Sequence, residues 1–366
     1  MRGLWWAQIR SVVRLELKKT FFAKRGLWIY VLALLPLLLF MGHNLVTAHE
    51  RERNHRIASQ SEKPLTHQSL SAINPGMTTS EVVARLGEPP VRFQWREREG
   101  AGDGSFVDVD HQGFKYSDGT SVLFLDMAED RVTKVHLVDA FTLGEDSIIF
   151  AGVFQFFYLR LAIFFGCLGI FMNLFRGEIL DKSLHFYFLS PIRREVLMVG
   201  KFLAGLLATC VIFITSELLQ IVVFTWNFSP NVRDLYLYHN HGLADAAAYL
   251  GVTALACLGY GAFFLAAGML FRNPILPAAA ILIWEGVNPF LPVLLKKVSV
   301  IYYLKSLCPV NIPTPPGMPP VLSLLVSNPD PVSAPVAILG IVTMALLVLY
   351  VSSFQVRRIE INYTSE

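Results

Sequence analysis

Residues 148–175 read IIFAGVFQFFYLRLAIFFGCLGIFMNLF, 28 positions with a single charged residue, Arg160. A bilayer core about 30 Å thick is crossed by roughly 20 apolar residues in a helix, so this stretch predicts a membrane span. Five further runs have the same character, at 27–46, 197–226, 246–271, 274–295 and 333–355. Pro36, Pro277, Pro289 and Pro292 fall inside these runs or near their ends. Membrane helices tolerate proline where neighbours satisfy the freed carbonyls, but Pro289 and Pro292 make the fifth run the weakest. The expected fold is an α-helical polytopic membrane protein of about six spans.

The composition agrees. Of the 366 residues 54% are hydrophobic and 16% charged, with a mean hydropathy of +0.48; a soluble domain carries about 25% charged residues. Most acids fall in residues 47–147, which predicts one soluble insert between the first and second spans. The four cysteines, Cys167, Cys210, Cys257 and Cys308, are scattered and form no CxxC pair, so they define neither a disulfide framework nor a zinc site. The first apolar run is too long for the core of a cleavable signal and is expected to stay as a helix.

Six spans put both termini on one side. The N-terminal segment, the loop after span two, the turn after span four and the tail at 356–366 together hold fifteen Lys and Arg, against four in the opposite short loops. The positive-inside rule makes the first group cytoplasmic and turns the insert outward. Within residues 1–26, Trp5, Ile9, Val13, Leu17 and Phe21 recur every four positions beside Arg10, Arg14 and Lys18. That pattern predicts an amphipathic helix lying in the cytoplasmic headgroup region.

The insert changes character along its length. Residues 47–72 are polar and read as a linker or weak helix, and 73–139 as an α+β module. Thr78 and Glu81 have capping-box spacing, Val82, Val83 and Leu86 make an apolar face, and Gly87 closes the helix before Pro89. Alternating apolar positions then mark strands around Phe93 and Trp95, Phe106–Val109, Val122–Leu125 and Val132–Leu137, with turns at Ser117-Asp118-Gly119 and Glu129-Asp130. Gly76-Met77-Thr78, Val82 and Leu86-Gly87-Glu88-Pro89 resemble the small lipoprotein of the outer-membrane β-barrel assembly machinery. The resemblance covers about 65 residues and implies a short helical part before a three-stranded sheet; it implies a fold, not barrel assembly.

Signatures of catalysis are missing. There is no GxxxxGK[ST] and no HExxH, and His239-Asn240-His241 offers two metal ligands without a third. No catalytic residue, metal or cofactor is expected. The loop after span two, residues 176–196, is more informative. It carries an apolar cluster, Leu184, Phe186, Tyr187, Phe188 and Leu189, ringed by charge, and Ser190-Pro191 is a good helix start. Such a cluster in the cytoplasm reads as a docking surface. Glu178 at the end of span two, Leu184 to Leu189, and Ser190-Pro191-Ile192-Arg193-Arg194 leading to Gly200-Lys201 resemble the membrane subunit of type-2 ATP-binding-cassette transporters, the exporter-like family. The resemblance implies a permease, not itself an enzyme, in a bacterial inner membrane. It would act as a homo- or heterodimer and be driven by a separate ATPase subunit. The ATPase would dock on Glu178, Leu184, Phe186, Tyr187, Phe188, Pro191, Arg193 and Arg194. No nucleic-acid partner is expected. A membrane-embedded enzyme and an anchor displaying the insert as a sensing module are the alternatives.

Three ionisable residues lie within spans: Arg160, Glu217 and Glu285. A charge at mid-membrane costs roughly 2.5–3.5 kcal/mol on insertion scales. Their depths allow Arg160 to pair with Glu217 or Glu285. Such a pair would be either a structural tie or a polar element of the transport path.

Overall fold

The computed structural model describes residues 2–22, 26–100, 106–128, 130–139, 143–180, 192–226, 228–271, 275–314 and 332–358. The chain forms two compact units, one of residues 1–40 and 147–366, the other of residues 41–146. Helices α1 (Arg2–Phe22) and α2 (Leu27–Gln60) come first. The short helices α3 (His67–Ser71) and α4 (Thr79–Leu86) lead to strands β1 (Val91–Gly100), β2 (Phe106–Ser117), β3 (Ser121–Ala128) and β4 (Arg131–Asp139). Then α5 (Leu143–Gly152), a π-helical segment (Val153–Ile163) and α6 (Phe164–Leu180) run end to end. Helices α7 (Arg194–Trp226), α8 (Gly242–Leu270), α9 (Ile275–Val287), α10 (Val300–Leu307) and α11 (Ala334–Arg358) follow, with short helical segments at Pro230–Asp234 and Leu235–His239 between α7 and α8.

Five of these rods are long and apolar enough to cross a membrane: α2, the α5–α6 run, α7, α8 and α11. The protein is a helical membrane protein with a small sheet inserted between helices. The run at 274–295 is not one helix. Its described part, α9, has 13 residues, about 20 Å at 1.5 Å per residue. A tight turn at Asn288–Phe290 and another at Val293–Lys296 follow before α10. Pro289 and Pro292 lack the backbone N–H that would carry the helix through.

In the first unit, α1 lies along α7. Its inward stripe is not the expected one: Val12 and Glu16 are buried, whereas Trp5 is exposed and Ile9, Val13 and Leu17 are intermediate. A methyl group at Gly200 would sit 2.9 Å from Val12 Cγ1, so the absence of a side chain there lets α1 approach. Aromatic rings fill the bundle: Phe164 meets both Tyr260 and Phe264 edge-on, and Tyr158 meets Phe213 the same way.

The second unit follows from local signals. Thr78 caps α4 through the Glu81 amide, and Glu81 returns the bond to the Thr78 amide. Gly87 ends the helix at φ 86°, a value that favours glycine. The polar stretch at 47–60 is not a linker, because α2 runs unbroken through it to Gln60. An ion pair between Glu52 and Arg56, one turn apart, supports that continuation. The sheet is an antiparallel meander of four strands in the order β1-β2-β3-β4, one more than the family resemblance implies. Phe114, Tyr116, Leu123, Leu125, Met127 and Val132 on one face pack with Leu70, Ile73, Val82 and Leu86. At the β2–β3 turn, Asp118 accepts from the Thr120 and Ser121 amides and the Thr120 hydroxyl. Partial burial opposes ionisation there, but those donors outweigh it and hold the carboxyl below its usual range.

Candidate functional site

Charged groups gather at the end of the bundle where α6 stops and α7 starts. Lys201 on α7 is fully buried, and burying an ammonium is costly unless carboxylates surround it. Its Nζ lies 2.6 Å from Glu16 Oε1 on α1 and 2.7 Å from Glu178 Oε2 on α6. It also donates to the Leu174 carbonyl at 2.8 Å. The other oxygen of Glu178 takes Lys19 Nζ of α1 at 2.8 Å. The result is an alternating chain, Lys19–Glu178–Lys201–Glu16, that ties three elements. Every charge in it faces an opposite one.

The N-terminus of α7 is anchored beside this chain. Arg193 stacks over the Trp5 ring at 5.1 Å. Arg194 donates to the Arg357 carbonyl at 2.7 Å, and Arg357 Nε donates to Glu195 at 2.6 Å. Thus Arg193 and Arg194, read from the sequence as docking residues, hold α1 and α11 to α7. Leu184, Phe186, Tyr187, Phe188 and Pro191 lie outside the described residues. Glu178 is brought into the charged chain. Its partners Lys19 and Lys201 stand 159 and 23 positions away, and sequence reasoning did not single out Glu16, the second acid on Lys201.

Deeper in the bundle, no direct ion pair joins Arg160 to Glu217 or Glu285 among the described residues, and the Glu285 charge attracts Arg160 only at longer range. Glu285 is 8% exposed, and its carboxylate is taken up by the start of α10. It accepts from the Val300 amide at 3.0 Å, the Ile301 amide at 2.8 Å and the Ser299 hydroxyl at 2.9 Å, with the Tyr260 hydroxyl at 3.5 Å. The acid thereby satisfies donors that the turn after α9 would otherwise orphan. Arg160 sits in the π-helical segment, and its guanidinium lies 5.5 Å from the Phe156 ring centroid. Its Nε and Nη2 are buried without a hydrogen-bond partner among the described residues. Glu217 on α7 is fully enclosed, and neither of its oxygens has such a partner.

Those unpaired oxygens make Glu217 testable. An unsatisfied buried polar group costs about 1–3 kcal/mol in protein mutational data. Glu217→Leu is therefore expected to leave the melting temperature in detergent unchanged or higher. A drop of several degrees would show that Glu217 has a stabilising partner.

Among the described residues no group of three or more His, Cys, Asp and Glu is placed to hold a metal ion. No protein-family model, curated protein or solved structure matches the chain.

Proposed function

We propose that the chain is the membrane subunit of a type-2, exporter-like ATP-binding-cassette transporter, paired with a second membrane subunit and powered by separate ATPase subunits. It lies in a bacterial cytoplasmic membrane with both termini inside and the insert outside. The observation that carries this reading is the charged chain from Lys19 to Glu16. It sits where α6 ends and α7 begins, so a push delivered between them reaches α1, α6 and α7 together through Glu178 and Lys201. A plain connector would need no such buried junction.

We read six passages, the fifth made in two pieces. Helix α9 ends near the point where Glu285 meets Tyr260 of α8. Beyond α10 the Val310 carbonyl accepts from Gln155 at 3.1 Å, near the opposite end of the bundle. Broken helices of this kind recur at transporter binding sites.

The test is docking. Phe186 and Phe188 supply apolar anchors of the kind that dominate interfaces. Changing both to Ala is expected to leave the chain inserted while ATPase co-purification and transport fall together, each by about tenfold for a loss of roughly 1.4 kcal/mol. Transport at the parental rate would move the coupling surface elsewhere. The separate core of the insert favours a second reading, an anchor that displays a binding module. Full activity of the insert on a foreign membrane anchor would select it.

A further inference from the structure

We propose that Glu217, Tyr249, Thr253 and Gln155 hold a small monovalent cation inside the helical unit. Glu217 comes from α7, Tyr249 and Thr253 from α8, and Gln155 from the π-helical segment. All four are buried. Both Glu217 oxygens, the two hydroxyl oxygens and Gln155 Oε1 have no hydrogen-bond partner among the described residues. The amide nitrogen of Gln155 is used on the Val310 carbonyl at 3.1 Å, so its oxygen is the atom left over. Buried polar side chains are nearly always satisfied, and orphans gathered in one place call for a guest.

These groups share one neighbourhood. Glu217 lies within electrostatic reach of the Tyr249 and Tyr158 hydroxyls and of the Cys308 thiol. Thr253 is one turn from Tyr249 on the same face of α8. Phe154, next to Gln155, packs edge-on against the Tyr249 ring at 4.7 Å. A cavity of about 20 Å³, room for a single water-sized guest, is lined by Tyr249 and Val310. Its wall also includes Ile221, one turn beyond Glu217 on α7, and the half-buried Asp245, one turn before Tyr249 on α8. One acid thus lines the cavity, and a second lies one turn past its wall.

The chemistry of the donors selects the guest. An ionised carboxylate and an amide oxygen only accept, and the hydroxyl oxygens can accept as well. Oxygens of these kinds suit hard cations. Water could bond to them, but it brings no charge to set against an enclosed carboxylate, and an unpaired buried charge is costly. Among the described residues no lysine, arginine or histidine is paired with Glu217. One carboxylate balances one positive charge, and neutral oxygens complete the shell, so the geometry fits an alkali ion rather than a divalent one. An ion held there ties the π-helical segment, α7 and α8 together. This inference is independent of any ATPase.

The experiment uses the full chain in detergent at fixed pH and ionic strength, in sodium, potassium or choline chloride. Melting temperature is read as a function of salt for the parent, Glu217→Gln and Tyr249→Phe, and the midpoint of the response gives the affinity. Sodium or potassium is expected to raise the parent's melting temperature to a plateau, whereas choline does not. Glu217→Gln should lose the response. Tyr249→Phe keeps the acid and loses one oxygen, so its affinity should fall about tenfold, roughly 1.4 kcal/mol. In choline Glu217→Gln should melt no lower than the parent; the expectation for Glu217→Leu given above is likewise that of the protein without an alkali ion. If Glu217→Gln does not fold, Tyr249→Phe decides, and parental affinity there would overturn the site. Equal parental melting in all three salts would also overturn it, as would an undiminished response in Glu217→Gln. A response to falling pH with none to either alkali ion would overturn the cation in favour of a proton.

Discussion

Lys201→Met is expected to be the most damaging single substitution in the helical unit. The methionine fills the space but leaves Glu16 and Glu178 facing each other without the cation that separates them. Breaking a buried ion pair by removing one partner costs about 3–5 kcal/mol, because the survivor is a buried uncompensated charge. Here two carboxylates survive, and Glu178 retains a second cation, Lys19. Thermal unfolding in detergent should show a large drop. Adding Glu16→Gln should recover part of it, since one stranded charge is then removed. A single variant that melts like the parent would mean that the chain of charges contributes little. Transport should fail in Lys201→Met even where the protein survives at low temperature, because α1 and α6 are no longer held to α7 by the same ion.

The second large effect is expected at Glu285. Alanine there strands two backbone amides and two hydroxyls around a buried carboxylate site. Each orphaned donor costs about 1–3 kcal/mol. The loss should be concentrated at the start of α10, where hydrogen exchange of the Val300 and Ile301 amides is expected to accelerate. Glu285→Gln keeps one acceptor and should cost less than alanine. The contrast with Glu217→Leu is the sharper test. Both are acids inside the bundle, yet one is surrounded by donors and the other by none among the described residues. Equal stability of Glu285→Ala and Glu217→Leu would remove the basis for treating them differently.

What the sequence discloses depends on how far apart the interacting groups lie along the chain. The capping box at Thr78 and Glu81, the Gly87 stop and the Asp118 turn span a few residues each, and their residue types alone predict them. The apolar runs are equally plain, since membrane helices must satisfy their own backbone. Glu16 is a different case. Within residues 5–22 it reads as a polar interruption, and only Lys201, 185 positions on, turns it inward. The same distance hides why Val12 rather than Val13 leads the buried stripe. Glu285 was legible as a mid-span charge, but three of its partners, Ser299, Val300 and Ile301, follow the proline turn at 288–290. A depth estimate points it toward Arg160, whereas proximity to newly opened backbone amides decides its contacts. The π-helical hydrogen bonding of Val153–Ile163 leaves no mark in composition, because the residues are as apolar as those of an α-helix.

That π-helical segment has a mechanical consequence. Bonding from i to i+5 accommodates a surplus residue compared with bonding from i to i+4. Eleven residues, Val153–Ile163, are bonded in this way. Letting the surplus out would advance everything beyond it by one position, about 1.5 Å along the axis and 100° around it. Phe171 and Glu178 would turn with it, at one end, while Phe150 stayed in place at the other. The side chains on either side of residues 153–163 therefore keep different helical phases from those an unbroken α-helix would give them.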